Sequence, residues 1–218
     1  MRGGKKGAIR FRGWFLMRLD LHCHSWHSYD NHLDPKELIV RARAMGLDGV
    51  CFTEHHSVDA SYPVTRMRLP DDFVVLRGLE ISTDCGHLLV YGVPDDSWNR
   101  WGRNNFLNLT EVLRRVHHLG GICVPAHPFR GWESVGERLY TIDGFDAVET
   151  HNGVNDPLQN DRAIHAARKL GLPSIGGSDC HTVDQVARMV TEFINPIGNM
   201  DDLVREIKAS NCYGRAWG

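Results

Sequence analysis

"RLDLHCHSWHSYDN", residues 18–31, begins as an apolar strand and runs directly into three histidines and an aspartate. A polar loop and a metal site would both look like this locally. Side chains of an extended chain alternate with period two, so His22 and His24 project to the same side and can reach one ion. Asp30 follows within reach of a turn, whereas His27 and His32 read as surface residues.

The rest of the chain repeats the pattern. "DGVCFTEHH" (48–56) ends in Glu54, His55 and His56, "FVVLRGLE" (73–80) in Glu80, and "GGICVPAHP" (120–128) in His127. "DAVETHN" (146–152) ends in Glu149 and His151, and "PSIGGSDCH" (173–181) in Asp179 and His181. Helical segments lie between them. Residues 33–46 have Asp34 as cap, Pro35 in the first turn and Gly46 as stop. Residues 109–121, with Thr110 as expected cap, 158–171 and 200–210 follow the same logic. Strands that end in polar residues and alternate with helices predict a barrel-like α/β fold, whose strand ends converge on one face. A doubly wound open sheet is the rival and would gather the same residues at one crevice.

Composition narrows the function classes. The chain has 218 residues with 42% hydrophobic and 24% charged, enough for one domain with a substantial core, and histidine is abundant at thirteen copies. No apolar run approaches the roughly 18 residues of a membrane span. The first eighteen residues hold six Lys/Arg and no acid, which leaves residues 19–218 at −8. This predicts a flexible basic extension over 1–16 ahead of a single domain over 17–218. The acidic remainder suits cations and does not suit a broad nucleic-acid surface. Six cysteines without a C-x-x-C pair read as buried thiols in a reducing, cytoplasmic setting.

Each candidate has an ordinary reading beside the chemical one. His55 and His56 are adjacent and face opposite ways, so His55 is taken as the ligand. Glu54 is either a partner behind a ligand or a solvated carboxylate. Glu80 closes an apolar strand, where an unpaired carboxylate is costly, but next to cations it is explained and can bridge two of them. His87, at the start of "GHLLVYG" (86–92), reads alone as a capped or surface histidine. His127 is held between Pro125 and Pro128, and Asp179 and His181 again share one side of the chain. Jointly they predict a multinuclear metal site.

In order, "DLHCHS", "TEHH", "GLE", "GHLLVYG", "PAHP" and "GGSDCHT" resemble the motif series of the PHP (polymerase and histidinol phosphatase) family, from Met17 to about residue 195. The segment from "GFDAVETHNGVND" to "GGSDCHT" further resembles the PHP-associated region of small stand-alone members. The resemblance implies a distorted seven-stranded β/α barrel with two to three metal ions at the strand ends. His22, His24, Glu80 and Asp179 would hold one ion. Glu80 would bridge to a second with His87 and His127, and Asp30, His55 and His181 would hold the third. "TEHH" stands where relatives more often have T-D-H, with the histidine retained.

The donors are nitrogen and oxygen, which suits Zn²⁺, Mn²⁺ or Fe²⁺. The expected activity is hydrolysis of a small phosphate monoester, or of a nucleotide end, by a metal-activated hydroxide without a phospho-enzyme. Asp179 and Glu80 are the expected catalytic carboxylates. Arg130 and His56 are the expected substrate contacts, with a plain surface role as the alternative for Arg130. His56 or His151 could protonate the leaving group, with a supporting or structural role as the ordinary reading of each. The loop 95–108 reads as a lid, a base-stacking wall, an oligomer contact or, by default, a locally packed segment. The alternatives are hydrolysis of an amide-type bond and a non-catalytic, metal-binding regulatory role.

Overall fold

The computed structural model describes residues 16–97, 107–131 and 133–217. All of the expected basic extension except Leu16, and most of the 95–108 loop, lie outside the described residues. The strands are β1 (Met17–Cys23), β2 (Gly49–Phe52), β3 (Val74–Arg77), β4 (Leu79–Thr83), β5 (Gly86–Tyr91), β6 (Ile122–Pro125), β7 (Val148–Asn152), β8 (Ser174–Gly177), β9 (Met189–Phe193) and β10 (Cys212–Ala216). The helices are α1 (Pro35–Ala44), α2 (Leu109–His118), α3 (Pro157–Leu170) and α4 (Met200–Lys208).

The strands form mixed sheets in an α/β fold. One has the order β10–β9–β1–β2–β3, with β1, β2 and β3 parallel and β9 and β10 antiparallel to their neighbours. The second, β4–β5–β6, is antiparallel, and β7 and β8 pair in parallel as the third. Among the described residues no closed ring of backbone pairing is present, so the barrel implied by the resemblance is reduced here to its α/β character.

The physical reason lies at the seams around β8, where side chains take over much of the ladder and leave isolated backbone bridges such as that between Cys23 and Cys180. Gly176 N–H donates to Thr191 Oγ1 at 2.8 Å, Gly214 N–H to Ser174 Oγ at 3.0 Å, and Ser178 N–H to Asp20 Oδ1 at 2.7 Å. Glycine permits this approach: a Cβ on Gly177 would lie 2.3 Å from His22 Cβ. β8 is thereby pressed against β1, and Asp179 N–H reaches His22 O at 2.7 Å.

Two local expectations need correction. The stretch 73–80 is split at Gly78, where a side chain would meet Val90 O at 2.8 Å. Glu80 therefore sits near the start of β4, paired with Leu89 of β5, and not at a strand end. The cap of α2 is Asn108, which accepts from Glu111 N–H at 3.1 Å, and Thr110 lies inside the helix. Asp84 explains the earlier start, because it accepts from both Leu109 N–H and Asn108 Nδ2 at 2.9 Å.

The other helix signals match their sequence. Asp34 caps α1 by accepting from Lys36 N–H, and Asp156 and Gln159 cap α3 reciprocally before Gly171 ends it at φ 68°. Cys23 and Cys180 are fully buried in an apolar cluster with Leu38 and Phe52. All six cysteines are free thiols. No described helix is long and apolar enough to cross a membrane.

Candidate metal centre

The ends of β1, β2, β6 and β8 and the β4–β5 hairpin deliver donor atoms to one place. Three groups form among the described residues, each with atoms within 4.8 Å of one another: His22, His24, Glu80 and Asp179; Glu80, His87 and His127; and Asp30, His55 and His181. Glu80 belongs to two of them. The first group is sealed from solvent, with His22 and His24 at 0%, Glu80 at 1% and Asp179 at 2% exposure. The third group opens outward at Asp30.

Hydrogen bonds behind the ring fix which nitrogen faces in. Glu149 accepts from His22 Nδ1 at 2.7 Å. Ser28 gives its only proton to Glu54 at 2.6 Å, so its oxygen accepts from His24 Nδ1 at 3.3 Å. Ser134 gives its proton to His127 O at 2.7 Å and thus accepts from His127 Nδ1 at 3.5 Å. Asp179 O accepts from His181 Nδ1 at 3.1 Å. Four imidazoles thereby turn Nε2 lone pairs inward.

Those lone pairs meet other acceptors. His22 Nε2 lies 3.1 Å from His24 Nε2 and 3.4 Å from both Glu80 Oε2 and Asp179 Oδ1. His127 Nε2 lies 3.0 Å from Glu80 Oε1. In addition, His55 Nδ1 is buried without a hydrogen-bond partner. Acceptors facing acceptors in a dry pocket demand positive charge at their centre, and a divalent cation fits this nitrogen–oxygen set.

Titration behaviour expresses the same demand. Burial depresses His22, but Asp179, Glu149 and Glu80 outweigh it and hold its pKa well above the ordinary value. Burial also opposes charge on His24, yet hydrogen bonds to Asp179 and Glu80 lift it to about 10. Burial works against ionised Glu80 and Asp179, and the facing histidines nevertheless keep both carboxyls well below their usual range. His55 is the contrast: burial dominates and lowers it to about 4.

Backbone torsion adds a further mark. His56, His127 and Asp179 have positive φ (60°, 31° and 53°), a region that non-glycine residues enter at a cost.

The sequence matches the family model for the PHP domain over residues 20–120 and that for the PHP-associated region over 157–212. The chain belongs to the PHP family. Over 88 residues it is 34% identical to the error-prone DNA polymerase of Cutibacterium acnes (strain DSM 16379 / KPA171202), a match covering 40% of this chain and 7% of that protein. The chain thus spans a small part of this curated relative. The fold is similar to PsfC from Pseudomonas syringae PB-5123 (TM-score 0.69, 20% identity, covering 92% of this chain and 91% of that one). It is also similar to a two-domain protein from Bacteroides vulgatus ATCC 8482 containing a predicted PHP-like metal-dependent phosphoesterase (TM-score 0.69, 18% identity, covering 100% of this chain and 69% of that one).

All nine residues expected as ligands stand in this PHP domain's three donor groups, in the sets that the resemblance implies. Arg130, expected at the mouth, donates Nη2 to Asp179 Oδ2 and Asn152 Oδ1 at 2.6 Å each, and Nε to Asn155 Oδ1 at 2.9 Å. His56 stands beside Ser82 Oγ at 3.5 Å, its pKa lowered by burial and by His87. His151 is bonded to Thr150 Oγ1 at 2.8 Å and faces Gly214 of β10, outside the donor groups. Glu54, left open between two roles, is fully buried and accepts from Ser25 and Ser28.

Two residues behind the donor groups were given no role from the sequence, although Glu149 was noted there as a strand-end acid. Glu149 supports His22 and also accepts from His127 N–H at 2.6 Å. Asn152 joins Glu149, Asp179 and Arg130 through its amide. Their signal was available in "ETHN", which ends a strand like the ligand motifs.

Proposed function

We propose that this chain is a metal-dependent phosphoesterase that holds two to three divalent ions (Zn²⁺, Mn²⁺ or Fe²⁺) and hydrolyses a small phosphate monoester or a nucleotide phosphate. The observation that carries the reading is Glu80 shared between two buried donor groups, with the guanidinium of Arg130 on the adjoining Asp179. The two groups would hold ions at neighbouring positions, joined by the Glu80 carboxylate. When bound, such ions supply Lewis acidity to phosphoryl oxygens and acidify water.

The chain's own residues supply the rest. Glu149, Ser28, Ser134 and the Asp179 carbonyl aim imidazoles inward, so the site needs little reorganisation. Arg130 is one-quarter exposed at 26%, and its Nη1 makes no hydrogen bond to the described residues. That nitrogen presents a fixed cationic donor to a phosphate at the mouth. His56, kept neutral by burial and by His87, offers the substrate a hydrogen-bonding edge. Asp179 and Glu80, both held ionised, offer carboxylate oxygens as donors to cations.

The test is phosphate release from a panel of sugar, amino-alcohol and nucleotide phosphates, with an Asp179→Ala control and amide substrates alongside. Turnover of one phosphate class that is lost in Asp179→Ala supports the reading. Amide cleavage without phosphate release, or bound metal with neither activity, contradicts it.

A further inference from the structure

A cavity of 620 Å³ lies on the flank of the domain, between α1 and residues 66–70, and shares no lining residue with the three donor groups. Its floor is apolar. Ile39 is buried at 4% exposure, and Met67 and Leu69 pack against the same core cluster. Val40, at 68% exposure, leaves a branched apolar side chain on the outer stripe of α1.

The rims are basic on both sides. Lys36 and Arg43 stand on α1, Arg66 and Arg68 stand opposite, and no acidic residue lines the cavity. Arg43 is tied to Asp72 at 2.7 Å, and Arg66 lies over the Tyr62 ring at 5.1 Å. Lys36 and Arg68 have no side-chain partner among the described residues. The cleft therefore calls for a ligand with an apolar body and negative charge along both edges.

Spacing selects the class of ligand. Lys36 and Arg43 are seven residues apart, about 10 Å along the helix axis at 1.5 Å per residue. One phosphate or carboxylate cannot meet both ends, and an extended polyanion has nothing to place on the apolar floor. A helix with apolar residues on one face and acids flanking them satisfies both demands. We propose that this cleft docks an acidic amphipathic helix of a partner protein, its apolar face in the trough and its carboxylates on Lys36 and Arg68.

The probe is a labelled peptide of about four helical turns, with leucine at i, i+3/i+4 and i+7 and glutamate elsewhere. Binding to the full chain is read by fluorescence anisotropy, beside a lysine counterpart. Saturable micromolar binding of the acidic peptide alone is expected. A Lys36→Glu/Arg68→Glu variant and, separately, Val40→Asp should each weaken it at least about tenfold. Asp179→Ala should bind it unchanged, which separates this result from the fate of the catalytic reading. No saturable binding up to about 1 mM overturns the proposal, as does equal binding by the charge-reversed variant. Preferential capture of an oligonucleotide or of anionic lipid vesicles through the same residues also overturns it.

Discussion

His22 donates its Nδ1 proton to Glu149 at 2.7 Å, with both side chains sealed from solvent, and this bond turns its other nitrogen toward His24, Glu80 and Asp179. Aim and basicity of the imidazole are thus set by a residue outside the donor groups. Glu149→Gln should keep the fold but lower metal affinity about 10- to 100-fold. Competition with a chelator, with circular dichroism as a folding control, reads this, and unchanged affinity would remove Glu149 from the account.

Arg130 is held on three sides by Asn152, Asn155 and Asp179. Arg130→Ala should raise KM for phosphate esters by about tenfold or more while metal content stays near the parent's. Lysine should not restore binding, because a point charge cannot hold this planar set of bonds. Steady-state kinetics with elemental analysis of the same samples distinguishes this from a loss of metal.

Metal-free protein should lose stability in alkali. His24 rises from the ordinary 6.5 to about 10 because hydrogen bonds to Asp179 and Glu80 outweigh burial. A group raised on folding stabilises fully below its unfolded pKa, and that contribution disappears as pH climbs through its folded pKa. Melting temperature in excess chelator should therefore fall between about pH 6.5 and 10, and metal should restore it by taking the place of the proton. A melting temperature that is flat or rises across this window contradicts the electrostatics of the cluster.

Gly177 lets β8 pass β1 at contact distance. Gly177→Ala puts a methyl group 2.3 Å from His22 Cβ and 2.5 Å from His22 N, neither of which can move without dragging the site. A loss of about 1–3 kcal/mol in urea unfolding is expected, together with weaker metal retention. Parent-like stability would show that the seam is looser than described.

The chemistry was more legible than the architecture. Period-two spacing exposed His22 with His24 and Asp179 with His181, and polar strand ends located His55 and His127. His87 gained meaning only from the ordered motif series, because its place at a strand start carries no local signal. Glu149 was passed over because a carboxylate that supports a ligand looks in sequence like any strand-end acid. The α/β character was legible but barrel closure was not: sequence periodicity predicts strands, but it does not predict that Gly176 bonds to Thr191 Oγ1 in place of a backbone partner. Thr110 failed as a cap because Asp84, distant in sequence, sets where α2 begins.

Reconstitution by metal titration tests the central claim most directly. Chelated protein would be titrated with Mn²⁺, Zn²⁺ or Fe²⁺ while phosphate release and bound metal are followed on the same sample. Activity that is absent in the chelated protein and saturates at two to three ions per chain is the expected result. Phosphate release that survives chelation, or a chain that retains no ion after reconstitution, would contradict the assignment of the buried histidine–carboxylate cluster as a catalytic metal centre.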